Sequence, residues 1–205
     1  MSLWTLFQKG GPVMWPLLLT SLTALTVVIE RFIFIFKERR MRSADAVEKI
    51  LALAEKGNLE AAVKEGSSTN DFVARTLIYG LTHREKSFSS ALLMAANNEL
   101  KRFNQGIATL DTIITLAPLL GLLGTVTGMI RAFSLLGGHE LEAPTVITGG
   151  IAEALIATAF GLGIAILALI PFNYLNARVE DARHEMEDAA THLELMLRKP
   201  DRRMT

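Results

Sequence analysis

The sequence predicts an all-α membrane protein: three transmembrane helices with long helical extensions on the cytoplasmic side, the N-terminus outside and the C-terminus inside. Three observations carry this. The 205 residues are half apolar and carry no net formal charge, yet the apolar residues gather into three blocks while charges crowd between Lys37 and Arg102 and again after Arg178. Such segregation marks a membrane protein rather than one evenly patterned soluble core. No stretch alternates with the two-residue period of a strand, and the positive residues lie unequally about the three blocks.

The first block occupies residues 13–36, interrupted by Glu30 and Arg31. Only Lys9 precedes it, whereas Lys37, Arg39, Arg40 and Arg42 follow it. A cleaved signal peptide has the opposite charge order, so the block reads as a retained anchor. The second, between Asp111 and Arg131, is uncharged. The third runs from 143 to 177 with Glu153 as its one charged side chain. Crossing a bilayer core takes ~20 apolar residues, so all three are long enough. A soluble fold would have to bury three such helices completely, which a domain of this size rarely does.

The segment 43–105 reads as helical. Ala46, Val47, Ile50, Leu51, Leu53 and Ala54 recur at helical spacing, and Gly57-Asn58 predicts a stop. A second short helix is expected over 59–64, ending at Gly66-Ser67-Ser68, and Asp71 is placed to cap a third that carries Phe72, Leu77, Ile78 and Leu81. From Ser87 to Leu135 no proline or glycine cluster ends a helix before Pro118, which predicts one long helix rising into the second span. Beyond the third span, Val179, Met186, Ala190, Leu193 and Leu197 continue the pattern into a helix below the membrane.

Positive residues stay on the cytoplasmic side of a span. The cluster after the first block and the tail residues Arg178, Arg183, Arg198, Lys199, Arg202 and Arg203 agree on one side. The connector 137–144 has no Lys or Arg and carries Glu140 and Glu142, which places it outside; Arg131 is the discordant residue. The chain therefore divides into an outer N-terminus (1–12), first span (13–36), cytoplasmic helical region (37–107), second span (108–135), outer loop (136–146), third span (147–175), and cytoplasmic helix and tail (176–205).

Glu153 is the most informative side chain. A carboxylate within a span costs ~3 kcal/mol on insertion scales, and such residues face a bundle interior or a cavity and serve in proton relays. The alternative is an interfacial Glu near the outer headgroups, or one neutralised by Arg131. Folding the chain about Leu141 brings the second and third spans together as antiparallel neighbours. Thr125 and Thr158 then share a depth, with Glu153 level with residues 129–131. Thr158 lies five residues beyond Glu153, ~140° around the helix, so one narrow stripe cannot hold both. Both hydroxyls are candidates to serve an ion path; bonding back to their own helix is the competing role.

Gly121, Gly124 and Gly128 in the second span, and Ala157, Gly161, Ala165 and Ala168 on one face of the third, favour close helix packing, within one chain or among several copies. Pro118 removes a backbone hydrogen bond and is expected to kink the second span. His83, His139, His184 and His192 are scattered, and cysteine is absent, so the expectation is no metal and no cofactor. Gly121-Leu-Leu-Gly124-Thr lacks the lysine of a phosphate loop. The basic residues 37–42 report topology rather than nucleic acid. A membrane enzyme has no nucleophile–base constellation to stand on.

The stretch APLLGLLGTVTGMI (117–130) resembles the second-span signature of the MotA/TolQ/ExbB proton channel family, in its ExbB/TolQ branch. GIAEALIATAFGL (150–162), with Pro171 and Tyr174-Leu-Asn176, resembles the third. The resemblance covers most of the chain; the MotA branch, with four spans, fits less well. It implies a multi-pass protein of the bacterial inner membrane, with Glu153 as the functional acidic residue and Thr125 and Thr158 as pore threonines. It also implies a homopentamer around a pair of ExbD/TolR-like single-span partners, each with a membrane aspartate. Ion flow, of protons by the ExbB-like form, would then drive work in the periplasm or on the outer membrane through a TonB-like or other effector. Asp111 is a candidate ion exit or a helix-flanking surface charge. The N-terminus is shorter than in some ExbB proteins, which puts docking to an energised transporter in doubt. A scaffold subunit with no ion pathway is the alternative function. The powered process, whether siderophore import, envelope maintenance or gliding, is left open by the sequence.

Overall fold

A computed structural model describes residues 3–136 and 143–198 of the chain. Residues 137–142 of the predicted outer connector, with Glu140 and Glu142, and the tail residues Lys199, Arg202 and Arg203 lie outside the described residues. Eight helices follow one another among the described residues: α1 (Leu3–Lys9), α2 (Met14–Met41), α3 (Ala44–Glu55), α4 (Leu59–Ser67), α5 (Phe72–Thr82), α6 (Arg84–Asn104), α7 (Ile107–Leu136) and α8 (Ala143–Arg198). Three stretches, Met14–Met41, Ile107–Ser134 and Thr148–Leu197, are long and apolar enough to cross a membrane. Among the described residues the chain is thus all-helical, with three long apolar helices. It divides into two compact units, one made of residues 1–30 and 106–174 and the other of 31–105 and 175–205.

In the first unit, α1 turns into α2 at Gly10-Gly11-Pro12. Phe7 stacks on Trp4 at 5.8 Å and meets the edge of Trp15 at 5.4 Å. Val13, Met14, Leu17 and Ala117 form a buried core, flanked by Phe7, Leu120, Phe160 and Ile164. The start of α2 is thereby fixed against α7 and α8. Ala154, Ala157, Ala165 and Ala168 are buried on one face of α8. Pro118 and Pro171 both lie inside helices that continue past them.

The second unit is a soluble-type bundle with caps. Ser43 accepts a hydrogen bond from Ala46 N–H, Asn58 from Ala61, and Asp71 from Val73 and Ala74, each satisfying donors that a helix start leaves open. α4 runs to Ser67, three residues past the predicted end. Asp71 is fully buried and does more than cap: its other oxygen pairs with Arg42 at 2.5 Å and accepts from Ser43 N–H at 2.6 Å. Arg42 also reaches Glu185 of α8 at 2.6 Å. A second cluster centres on Arg75, which bonds both oxygens of Glu99 (3.0 and 2.9 Å) and Glu38 (2.7 Å). Burial pulls both guanidinium pKa values down, but the hydrogen bonds to Glu185 and Asp71, and to Glu99 and Glu38, outweigh it and hold them above their ordinary value. Raised cationic pKa values stabilise the fold below the unfolded pKa and lose that contribution only far into alkali. These clusters therefore persist through neutral pH. Phe72 and Phe34 close edge-on around Phe103 at 5.2 and 5.3 Å.

The one long helix expected from Ser87 to Leu135 is not formed. α6 ends at Asn104 and α7 begins at Ile107, with Gln105 extended (φ −57°, ψ 133°) and Gly106 at φ +78°. That φ belongs to the left-handed region, which glycine enters without a Cβ penalty and which commonly ends a helix. A lone glycine sufficed, without the proline or glycine cluster taken as the stop signal. Within α6, Ser87 is also extended (φ −172°, ψ 104°), and its hydroxyl donates to Ser90 Oγ at 2.8 Å.

Candidate functional site

The site is built on the seam between α7 and α8, which pack as antiparallel neighbours through small residues. A Cβ added to Gly121 would lie 3.0 Å from Thr158 Cα, and one on Gly161 would lie 2.5 Å from the Ala117 carbonyl oxygen. Gly124 abuts the Ala157 methyl. Gly128 sits against Ala154 and the Gly150 carbonyl, each 3.2 Å from such a Cβ. The backbones therefore approach as only missing side chains allow, and the pairing order follows the fold about Leu141.

At one end of this seam stands Glu153. Its Oε1 accepts a hydrogen bond from Arg131 Nη1 at 2.9 Å, with Glu153 23% and Arg131 46% exposed. The same oxygen lies against Gly11, at φ +74° in the turn between α1 and α2, where an added Cβ would overlap Glu153 Oε1. Oε1 is thus flanked by a guanidinium and a bare stretch of backbone. Gly11 was missed by sequence reasoning. The Gly-Gly-Pro run before the first span was the available signal for a tight turn, but not for its partner at position 153.

The two threonines occupy different environments. Thr158 donates across the seam to the Gly121 carbonyl at 3.0 Å, whereas Thr125 donates to Leu122 of its own helix at 2.6 Å. Thr125 borders an open apolar groove with Val126, Met129, Ile130 and Phe133. The structure therefore does not join the two hydroxyls, and it does not join either to Glu153. Asp111 lies exposed in the second turn of α7, away from the cluster around Glu153. Chemically, the cluster is one carboxylate paired with one guanidinium on an apolar helix pair.

Three helices long and apolar enough to cross a membrane, two of them packed through glycines beside a carboxylate, are the architecture of a multi-pass membrane protein. Residues 64–188 match the MotA/TolQ/ExbB proton channel family. The ExbB-like 1 protein of Synechocystis sp. is 38% identical over 200 residues, covering 94% of this chain and 78% of that one. The biopolymer transport protein ExbB of Neisseria meningitidis is 29% identical, covering 96% and 97%. The Tol-Pal system protein TolQ of Haemophilus influenzae is 39% identical over 94 residues, covering 46% and 41%. The chain belongs to the MotA/TolQ/ExbB proton channel family. That family is one of channel and transport subunits, and the relatives named ExbB and TolQ support a proton-driven, motor-type subunit.

Proposed function

We propose that the chain is the pore and stator subunit of an ion-driven inner-membrane motor of the ExbB–ExbD/TolQ–TolR type, coupling proton flow to work in the periplasm or at the outer membrane. In this reading the N-terminus and the α7–α8 connector are periplasmic, and the second unit and the tail are cytoplasmic. Five copies surround two single-span partners, each bearing a membrane aspartate, and a TonB-like or other envelope protein receives the work. Glu153, Thr125 and Thr158 belong to the ion path, with Asp111 at its cytoplasmic end; Pro118, Pro171 and the glycines keep its wall tight.

The observation that carries the reading is Glu153, a carboxylate retained in an apolar helix at a cost of ~3 kcal/mol that packing alone does not require. The test replaces it in cells that also express the single-span partner, and reads proton influx with a cytoplasmic pH-sensitive fluorophore. Glu153→Gln is expected to cut partner-dependent influx at least ~10-fold while the assembly survives on native gels. Full influx in both Glu153→Gln and Glu153→Ala would sink the proposal.

The scaffold reading has one observation in its favour. Thr158 and Glu153 both make packing contacts within a single copy, to the Gly121 carbonyl and to Arg131. It predicts tolerance at Glu153 and sensitivity at Gly121, Gly124 and Gly161, so the same variants separate the two.

A further inference from the structure

We propose that Arg131 is a latch on Glu153, holding the carboxylate in an ion pair within each copy so that it loads a proton only when that pair opens. The proposal rests on the ion-path reading of Glu153 and adds to it a control element.

The placement of the pair argues for a latch rather than a chance surface contact. Each partner is flanked at three residues before and one after by seam positions: Gly128 and Ala132 around Arg131, Gly150 and Ala154 around Glu153. These four pack on one another, Gly128 against Ala154 and Gly150 against the Ala132 methyl and the Gly128 carbonyl. The helix backbones on either side of the pair are therefore locked, and the pair cannot drift apart by helix sliding. Gly11 abuts the same oxygen that Arg131 bonds, so close that even a methyl group there would overlap Oε1. The soft coordinate left is the Arg131 side chain, half exposed and joined to Glu153 through one nitrogen, Nη1 at 2.9 Å, rather than a two-pronged fork. Such a pair holds a carboxylate yet opens by torsions of one long side chain.

Chemistry links opening to loading. A carboxylate that takes a proton loses its charge and with it the ion pair, so proton uptake at Glu153 and release of Arg131 are one event. A freed guanidinium then seeks another anion.

The test is carbodiimide labelling of the chain alone in lipid vesicles. Dicyclohexylcarbodiimide enters bilayers and modifies carboxyl groups that are protonated and reachable from the apolar phase, and mass spectrometry of the peptide containing residue 153 reads the rate. Glu153→Gln sets the background. Arg131→Met is expected to speed labelling about 10-fold over the unsubstituted chain, and Arg131→Lys, which keeps a cation, to leave it near the original rate. Arg131→Gln, a milder change with the assembly checked on the same sample, is expected to follow Arg131→Met. Labelling no faster in either neutral variant overturns the latch. That result is independent of influx: if Glu153→Gln still abolishes partner-dependent influx, the ion path stands and only the latch falls.

Discussion

Thr158 and Thr125 show how two residues of one type at one depth can do different work. Thr158 spends its hydroxyl proton on the Gly121 carbonyl of the neighbouring helix, while Thr125 spends its own within α7. An interhelical hydrogen bond in a membrane protein is worth ~0.6 kcal/mol on average and up to ~1.7, whereas a bond back to the helix adds little. Thr158→Val is therefore expected to cost ~1 kcal/mol, seen as a lower melting temperature in detergent, and Thr158→Ser to restore much of it. Thr125→Val should stay within ~0.5 kcal/mol. If both valine variants lose proton influx, only the loss at position 125 is then free of a stability cause. Glu153 was legible because one charge in an apolar span stands out locally. The antiparallel register was legible because the connector is short, and it correctly faced Glu153 with residues 129–131. What local pattern does not encode is rotation about the helix axis, so the carbonyl that Thr158 reaches was not foreseen. The contact of residue 11 with residue 153 depends on a third element and is invisible to any window along the chain.

At the scale of the element, glycines divide into those that hold helices together and those that do not. Gly161 meets backbone on two sides, the Ala117 carbonyl at 2.5 Å and Gly121 Cα at 3.0 Å from a built Cβ, whereas Gly163, two residues on, meets nothing within 4 Å. Backbone cannot swing aside as a side chain can. Gly161→Ala must part α7 from α8, at the overpacking cost of ~1–3 kcal/mol. Gly163→Ala should be neutral or stabilising by up to ~1 kcal/mol, since alanine restricts the unfolded chain. Thermal melts of the two variants in one detergent check the contrast, and equal melts would mean that α7 and α8 do not pack as described. Three apolar helices and the short helices of the bundle were legible from periodicity and from Asp71 at a helix start, whereas the caps at Ser43 and Asn58 were not foreseen. The break at Gly106 was not, because a lone glycine inside an otherwise helical pattern is tolerated far more often than it terminates.

The whole molecule poses a question that no single copy answers. Of the most apolar windows in the three long helices, only 11%, 28% and 22% is buried within the chain, and Leu119, Ile130, Leu155, Leu167 and Ile170 stand at 61–73% exposed. Lipid satisfies such a surface, but lipid does not conduct protons. The glycines, whose close packing the sequence left open to one chain or several copies, are largely used inside one copy, on the α7–α8 seam. The groove at Thr125 is an open surface, bounded on one side. In the assembly proposed above, neighbouring copies or the partner cover the open side of this groove and complete the ion path. The proposal of a pore thus entails an oligomer, and the oligomer has a measurable signature. Native mass spectrometry from mild detergent should give five copies, and proton influx in vesicles should fall more steeply than in proportion as protein is diluted into excess lipid. If a monomer were the only species and still supported influx that Glu153→Gln removes, the path would lie within one chain and the pentamer would be wrong. If a pentamer formed whose influx ignored residue 153, assembly and conduction would be separate properties. The exposed leucines and isoleucines would then belong to a scaffold.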